Sequence, residues 1–308
     1  MKLVFLGTPE FAVPSLEALV EAGHTVAAVY TQPDRPKGRG QQLAFPPVKE
    51  CALRLGREVR QPLKIRTCLD ELAATGADAM VVVGYGQIIP QSIIDLPKYG
   101  IFNVHASLLP KYRGAAPIQW AVANGETSTG VAIMQIEAGL DTGPVFDIAT
   151  TEIGSEETSL DLAPRLAAMG ASLMVDVLKR VEAGIAKAVP QDHGHATLAP
   201  ILKKEDGLID WSRPAAEIHN RSRGFLPWPG AWTAFRGERL NIWKCRPAEV
   251  EVPGPPGKLA ALHRRLFASC GVGSALELIE VQQEGRKRVT AEAFINGARI
   301  AGEDRLGE

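Results

Sequence analysis

Residues 1–30, MKLVFLGTPEFAVPSLEALVEAGHTVAAVY, decide how the fold is read. Leu3–Leu6 is a short unbroken apolar run, Phe11 to Ala22 has helical spacing that stops at Gly23, and His24–Tyr30 is strand-like again. Strand, helix and strand in that order predict a βαβ unit and therefore a parallel sheet. The same alternation continues outward. Val48 to Leu55 returns to helix, and Ala79–Val83 is continuously apolar, as a strand covered on both faces must be. Gly100–Asn103 is a short strand ending at a polar cluster. Val131–Ile136 and the stretch near Val145–Thr150 are further strands, joined through Gly139-Leu-Asp-Thr-Gly143, and Leu160 to Glu182 is a long helix. Residues 1–188 are thus expected to form a Rossmann-like, mostly parallel sheet with helices on both faces.

Pro, His, Gly and Lys then break the pattern, and 189–205 reads as a linker. Beyond a helix near Ala215–Ser222 come five short strand-like runs: Trp232–Phe235, Arg239–Cys245, Gly257–Leu262, Ala275–Val281 and Arg288–Ala291. Gly and Pro separate them, which predicts a small OB-like β-barrel domain over 206–308.

Composition narrows the class. A hydrophobic content of 45% and a charged content of 22% are those of a globular protein, and 308 residues favour two domains over one. The net charge of -1 excludes a uniformly basic coat, although residues 206–308 carry +2 and the remainder -3, which suits a mildly basic appendage. Cys51, Cys68, Cys245 and Cys270 form no C-x-x-C pair, so they read as reduced thiols and not as a zinc site. The first apolar run is too short for a signal-peptide core, and none approaches the roughly 18 residues of a membrane span. The expected location is the cytoplasm, without a membrane partner.

The densest polar cluster, Asn103-Val-His105-Ala-Ser107 through Arg113-Gly114, follows directly on a strand, at the end where open α/β sheets hold ligands. Asn103 and His105 are two apart, so in extended backbone they point to one side. An amide and an imidazole there suit an oxygen that gains negative charge during acyl transfer. Taken singly, His105 reads first as a core histidine satisfied by backbone, a reading that the neighbouring Asn103 and the following loop weaken, and Asn103 equally as a strand-closing turn residue. Asp141, between Gly139 and Gly143, is either a turn residue bonding its own backbone or a carboxylate that orients His105; spacing leaves both open.

Other features point less far. Gly7-Thr-Pro-Glu-Phe is not G-x-G-x-x-G, so a dinucleotide site has little support. His193 and His195 lack further ligands at metal spacing and read as solvated linker. Trp211, Trp228, Trp232 and Trp243 suit base stacking or a barrel core. Arg35, Lys37 and Arg39 lie in a glycine-flexed loop over 31–45, where they form a solvated turn or a phosphate-facing lid.

At these residues the sequence resembles the methionyl-tRNA formyltransferase family. The similarity runs through Phe5-Leu-Gly-Thr-Pro-Glu-Phe-Ala12, the basic loop from Thr31 to Gly40, Asn103-Val-His-Ala-Ser-Leu-Leu-Pro110, Arg113-Gly-Ala-Ala-Pro-Ile-Gln119, Gly139-Leu-Asp-Thr-Gly143, Asp210-Trp-Ser212 and Pro227-Trp-Pro229. The resemblance implies transfer of the formyl group of 10-formyltetrahydrofolate to the α-amine of methionyl-initiator tRNA, in support of translation initiation. A relative acting on an amino-sugar nucleotide is the alternative. Also implied are Asn103, His105 and Asp141 as catalytic groups, and a folate cleft bordered by Ser107, Leu108, Leu109 and Pro110 and by the Val83–Ile89 loop with Gly84, Tyr85 and Gly86. Arg35, Lys37 and Arg39 would contact the acceptor stem, and Lys203 and Lys204 the tRNA body. No metal is expected, and the chain is expected to act as a monomer.

Overall fold

The computed structural model describes residues 1–37 and 42–308. Contacts divide the chain into two compact units. The first comprises Met1–Pro117, Ser128–Glu152 and Ala163–Pro200, and the second Ile118–Thr127, Ile153–Leu162 and Ile201–Glu308.

The first unit is built on seven strands: β1 (Lys2–Gly7), β2 (Thr25–Tyr30), β3 (Val59–Arg60), β4 (Ala79–Val83), β5 (Ile101–His105), β6 (Ser128–Gln135) and β7 (Val145–Glu152). Their order across the sheet is β7-β6-β5-β4-β1-β2-β3. β3 to β5 pair in parallel, while β6 and β7 are antiparallel additions. Leu3–Leu6 and Ala79–Val83 are buried along their whole length, which explains why those strands read as apolar runs without alternation. From β1 the chain builds outward to β2 and β3, then returns to lay β4 and β5 on the other side. That reversal opens a crevice at the carboxyl ends of β1 and β4, where open α/β sheets place their ligands. The helix Val13–Glu21 starts with a proline in its first turn and gives way to Gly23 at φ +83°, the usual asymmetry of helix ends.

β5 runs two residues beyond the expected Asn103, so His105 is its last residue. β6 is antiparallel to β5 with Gln135 opposite Phe102. The β6–β7 connection therefore leaves the sheet near the amino end of β5. It must fold back over the sheet to bring Asp141 to the other end.

The 189–205 stretch expected as a linker is divided between the units. Residues through Pro200 belong to the first, where Leu198–Ala199 pairs in parallel with Arg113–Gly114. This larger part is paired into the first unit and is no free tether.

The second unit carries β8 (Ala231–Phe235), β9 (Glu238–Ala248), β10 (Leu259–Leu262), β11 (Arg265–Ser269), β12 (Ala275–Gln283) and β13 (Val289–Thr290). The order is β8-β9-β12-β11-β10 with β13 also on β12, all antiparallel. Arg305 bridges Lys258 beside β10 and Leu306 bridges Phe235 of β8, so the chain end links the two edges into a small barrel. β11 was absent from the expected strands. Its hairpin turns through His263 and Arg264, at φ +49° and +65°, without the Gly or Asn that signals such a turn. The run expected as strand over Arg288–Ala291 is shorter, because Thr290 caps a helix over Ala291–Ala298.

Glu277 on β12 is buried between β9 and β11. It accepts two hydrogen bonds from Arg265, both 2.6 Å, and one from Arg246 at 2.7 Å. The Arg265 bonds are the main reason its carboxyl is held below the usual range. Because the folded group is the stronger acid, its contribution is complete above the ordinary carboxylate range and vanishes as pH falls through the folded value. Glu277→Gln should cost about 1.5–3 kcal/mol of stability at neutral pH, a gap that closes in acid. Equal urea midpoints for the two proteins at pH 7 would contradict this.

Candidate active site

The site is assembled on His105 at the end of β5. Its Nε2 lies 2.9 Å from the Tyr112 carbonyl oxygen, and the ring is 5% exposed. A carbonyl only accepts, so Nε2 carries the proton, and Nδ1 is the working nitrogen. Nδ1 lies 3.8 Å from Asp141 Oδ2. That separation is an electrostatic contact wider than a direct hydrogen bond. The same Oδ2 accepts from the Gly114 backbone N–H at 2.8 Å, which helps to fix the carboxylate. Asn103, two residues back on β5, is half-buried, and among the described residues nothing hydrogen-bonds its side-chain amide. The strand's alternation places that amide on the face of His105.

Local sequence explains the closeness. A Cβ at Gly143 would sit 1.9 Å from the Gln135 carbonyl oxygen, so only glycine allows the Asp141 turn to return against the end of β6. Gly114 has φ +121° and would meet the Ala199 carbonyl oxygen at 2.6 Å, so it allows the 198–199 segment to press against 113–114.

The 83–89 segment, expected as a wall of the folate cleft, follows directly on β4. Thr8 Oγ1 at the end of β1 and Gln32 Nε2 beyond β2 both donate to the Tyr85 carbonyl, at 3.2 and 3.0 Å. Gly84 and Gly86, at φ +57° and +81°, are exposed. Tyr85 turns its ring into the core, where burial pushes its phenol upward and its hydroxyl has no partner among the described residues. Ser107 is fully buried, with Oγ donating to the Lys111 carbonyl at 2.6 Å. The side chains of Tyr85 and Ser107 are therefore not presented to a ligand. Leu109 is buried, and Leu108 and Pro110 are half-buried.

The stem of the basic loop is a short pair, Arg35–Lys37 with Gln42–Ala44. Arg35 is exposed, and Arg39 lies outside the described residues. Asp34 at its foot accepts from Gln61 at 2.7 Å and Lys49 at 2.6 Å, which holds its carboxyl below the usual range. In the second unit Lys203 and Lys204 are exposed, and the Lys204 carbonyl accepts from Trp232. Among the described residues no group of three or more His, Cys, Asp or Glu is gathered as metal ligands, and no helix is long and apolar enough to cross a membrane. All four cysteines are free and buried; burial pushes the Cys245 and Cys270 thiols up to about 12, unsuited to nucleophilic attack.

Residue-type reasoning overlooked the Tyr112 carbonyl, the Gly114 N–H and Gln191. Backbone groups leave no mark in composition, and Gln191 stood in a stretch that read as linker.

Residues 1–178 match the family described as formyl transferase, and residues 201–299 match its C-terminal domain. A methionyl-tRNA formyltransferase from Solibacter usitatus is 59% identical over 100% of this chain and 99% of its own length, and one from Koribacter versatilis is 57% identical over the same shares. Among solved structures, an N-formyltransferase from Helicobacter canadensis in complex with folinic acid and dTDP-3-aminofucose superposes with a TM-score of 0.70 at 19% identity, covering 92% of this chain and 99% of its own. At that identity the likeness concerns the fold.

The His105 assignment has a direct check. Long-range proton–nitrogen NMR of the ring should show a proton on Nε2 at every pH where the fold persists. A ring protonated on Nδ1 alone would contradict the Tyr112 contact.

Proposed function

The chain belongs to the formyl transferase family, and from that premise we propose how it works: it transfers the formyl group of 10-formyltetrahydrofolate to the α-amine of methionyl-initiator tRNA, with Asn103, His105 and Asp141 as its catalytic groups. The observation that carries this reading is the approach of Asp141 to His105 from a separate loop, beside the unengaged Asn103 amide, in a chain matched end to end by methionyl-tRNA formyltransferases. The family and the fold support a folate-type cosubstrate. One chain supplies the whole trio, so the reading needs no second copy. Initiation of translation places its work in the cytoplasm.

The neutral amine attacks the formyl carbon, the carbon–N10 bond of the folate breaks, and negative charge builds on the formyl oxygen in between. The Asn103 amide donates to that oxygen. His105 has spent Nε2–H on Tyr112, so it can donate only through a proton on Nδ1, the nitrogen that faces Asp141. The Asp141 carboxylate orients that nitrogen and, through a water, takes the proton that the attacking amine must lose and returns it to N10. Ser107 Oγ is spent on backbone and the cysteines are buried, and the reading invokes no covalent intermediate. The reading draws on no metal. Arg35, Lys37 and Arg39 reach the acceptor stem, and Lys203 and Lys204 hold the tRNA body by charge.

Incubation with labelled 10-formyltetrahydrofolate should place label on methionyl-tRNA and none on a UDP-amino-sugar. Label only on the sugar would favour the amino-sugar alternative. Asn103→Ala should lower kcat by roughly a hundredfold to a thousandfold, the usual cost of one oxyanion donor; near-normal turnover would remove Asn103 from the site. Arg39→Ala should raise KM for tRNA, flatten its salt dependence and leave KM for folate unchanged. Unaltered tRNA kinetics across salt would end the role given to the loop.

A further inference from the structure

We propose that Gln191 and Arg113 are positioning residues for formyl transfer: together they strap the Asp141 turn so that its carboxylate faces His105. This rests on the reading above and extends it to two side chains outside the catalytic trio.

Gln191 is 9% exposed and its amide is fully engaged. Nε2 donates to the Asp141 carbonyl at 2.9 Å and to the Gly143 carbonyl at 2.7 Å. Oε1 accepts from Arg113 Nη2 at 2.7 Å and from Nε at 3.2 Å. The orientation follows from chemistry, because a guanidinium only donates and the two carbonyls only accept.

Arg113 is 7% exposed, and its Nη2 also donates to His193 Nδ1 at 2.9 Å. No partner of its guanidinium among the described residues is a carboxylate. A buried cation without an anion is costly unless its donors are satisfied, and here Gln191 Oε1 and His193 Nδ1 accept from it. Here two charge-assisted bonds polarise the Gln191 amide and strengthen the N–H groups on its far side.

The turn needs this hold. Asp141 has φ +48°, a left-handed conformation that a non-glycine residue keeps only where its surroundings enforce it. Gln191 grips the backbone on both sides of Thr142, while Gly114 N–H grips the carboxylate. Three consecutive residues thus organise the site: the Tyr112 carbonyl sets His105, Arg113 sets Gln191, and Gly114 sets Asp141. The Thr197 hydroxyl and carbonyl anchor that trio in turn, each 2.9 Å from the N–H of Tyr112 and Arg113 respectively.

The test is steady-state kinetics on the full chain with 10-formyltetrahydrofolate and methionyl-tRNA. The variants are Gln191→Glu, Gln191→Met, Asp141→Asn, and Gln191→Glu combined with Asp141→Asn. Gln191→Glu keeps an oxygen for Arg113 but turns another on the two carbonyls, so it frees the turn without stranding the guanidinium. Both single Gln191 variants should lose roughly 10- to 100-fold in kcat, the scale of an ångström-sized misplacement. KM for either substrate should stay within about twofold, because only groups acting in the transition state are disturbed. In the Asp141→Asn background, Gln191→Glu should cost less than about threefold more, since both act through one carboxylate. Wild-type kcat in Gln191→Glu, a change confined to KM, or the full additional loss in the double variant overturns the proposal. If Gln191→Met does not fold, Gln191→Glu decides alone. A wild type that forms no formyl-methionyl-tRNA sinks the underlying reading instead, and that is seen before any variant is compared.

Discussion

The Nε2–H bond from His105 to the Tyr112 carbonyl is the constraint on which the site depends. It removes one nitrogen of this imidazole from chemistry and aims the other at Asp141. A ring free to flip would present either nitrogen, and its relation to the carboxylate would average away. Held at one edge, it presents a single nitrogen whose protonation decides whether it donates or accepts. The pinning group is a backbone carbonyl, which cannot itself change protonation state.

The fold supplies the facing carboxylate by an indirect route. β5 carries Asn103 and His105 to the crevice, but Asp141 starts from the amino end of β5, because β6 runs the opposite way. A nine-residue return over the sheet is needed, and such a return is only as good as what holds it. Gly143 permits the close approach, and Gly114 and Gln191 fix it. The antiparallel edge pair, a departure from a simple doubly wound sheet, is thus what makes a two-element site possible. In the second unit Glu277 does comparable work, with one buried carboxylate joining arginines from two neighbouring strands across a third.

Much of this was legible in the sequence, for identifiable reasons. Buried parallel strands must be apolar throughout, so Leu3–Leu6 and Ala79–Val83 declared themselves. Asn103 and His105 could be grouped because a strand's period of two fixes their common side. Their link to Asp141 could not be read from spacing, since it depends on a chain reversal set by strand direction. The strand Arg265–Ser269 escaped because His263 and Arg264 adopt left-handed backbone without glycine. The 190–200 segment escaped because its hydrogen bonds go to distant backbone, so locally it has only the polar, irregular look of a tether. The resemblance names Tyr85 and Ser107, yet the Tyr85 ring packs in the core and the Ser107 hydroxyl is bonded to the Lys111 carbonyl, a distinction that no motif carries.

Single-turnover formyl transfer by His105→Ala, with both substrates saturating and the labelled product quenched in time, tests the central claim most directly. The account predicts a chemical step at least a hundredfold slower than in the unaltered protein, with both substrates still bound. A step of unchanged rate would mean that the pinned imidazole is merely a core histidine satisfied by backbone.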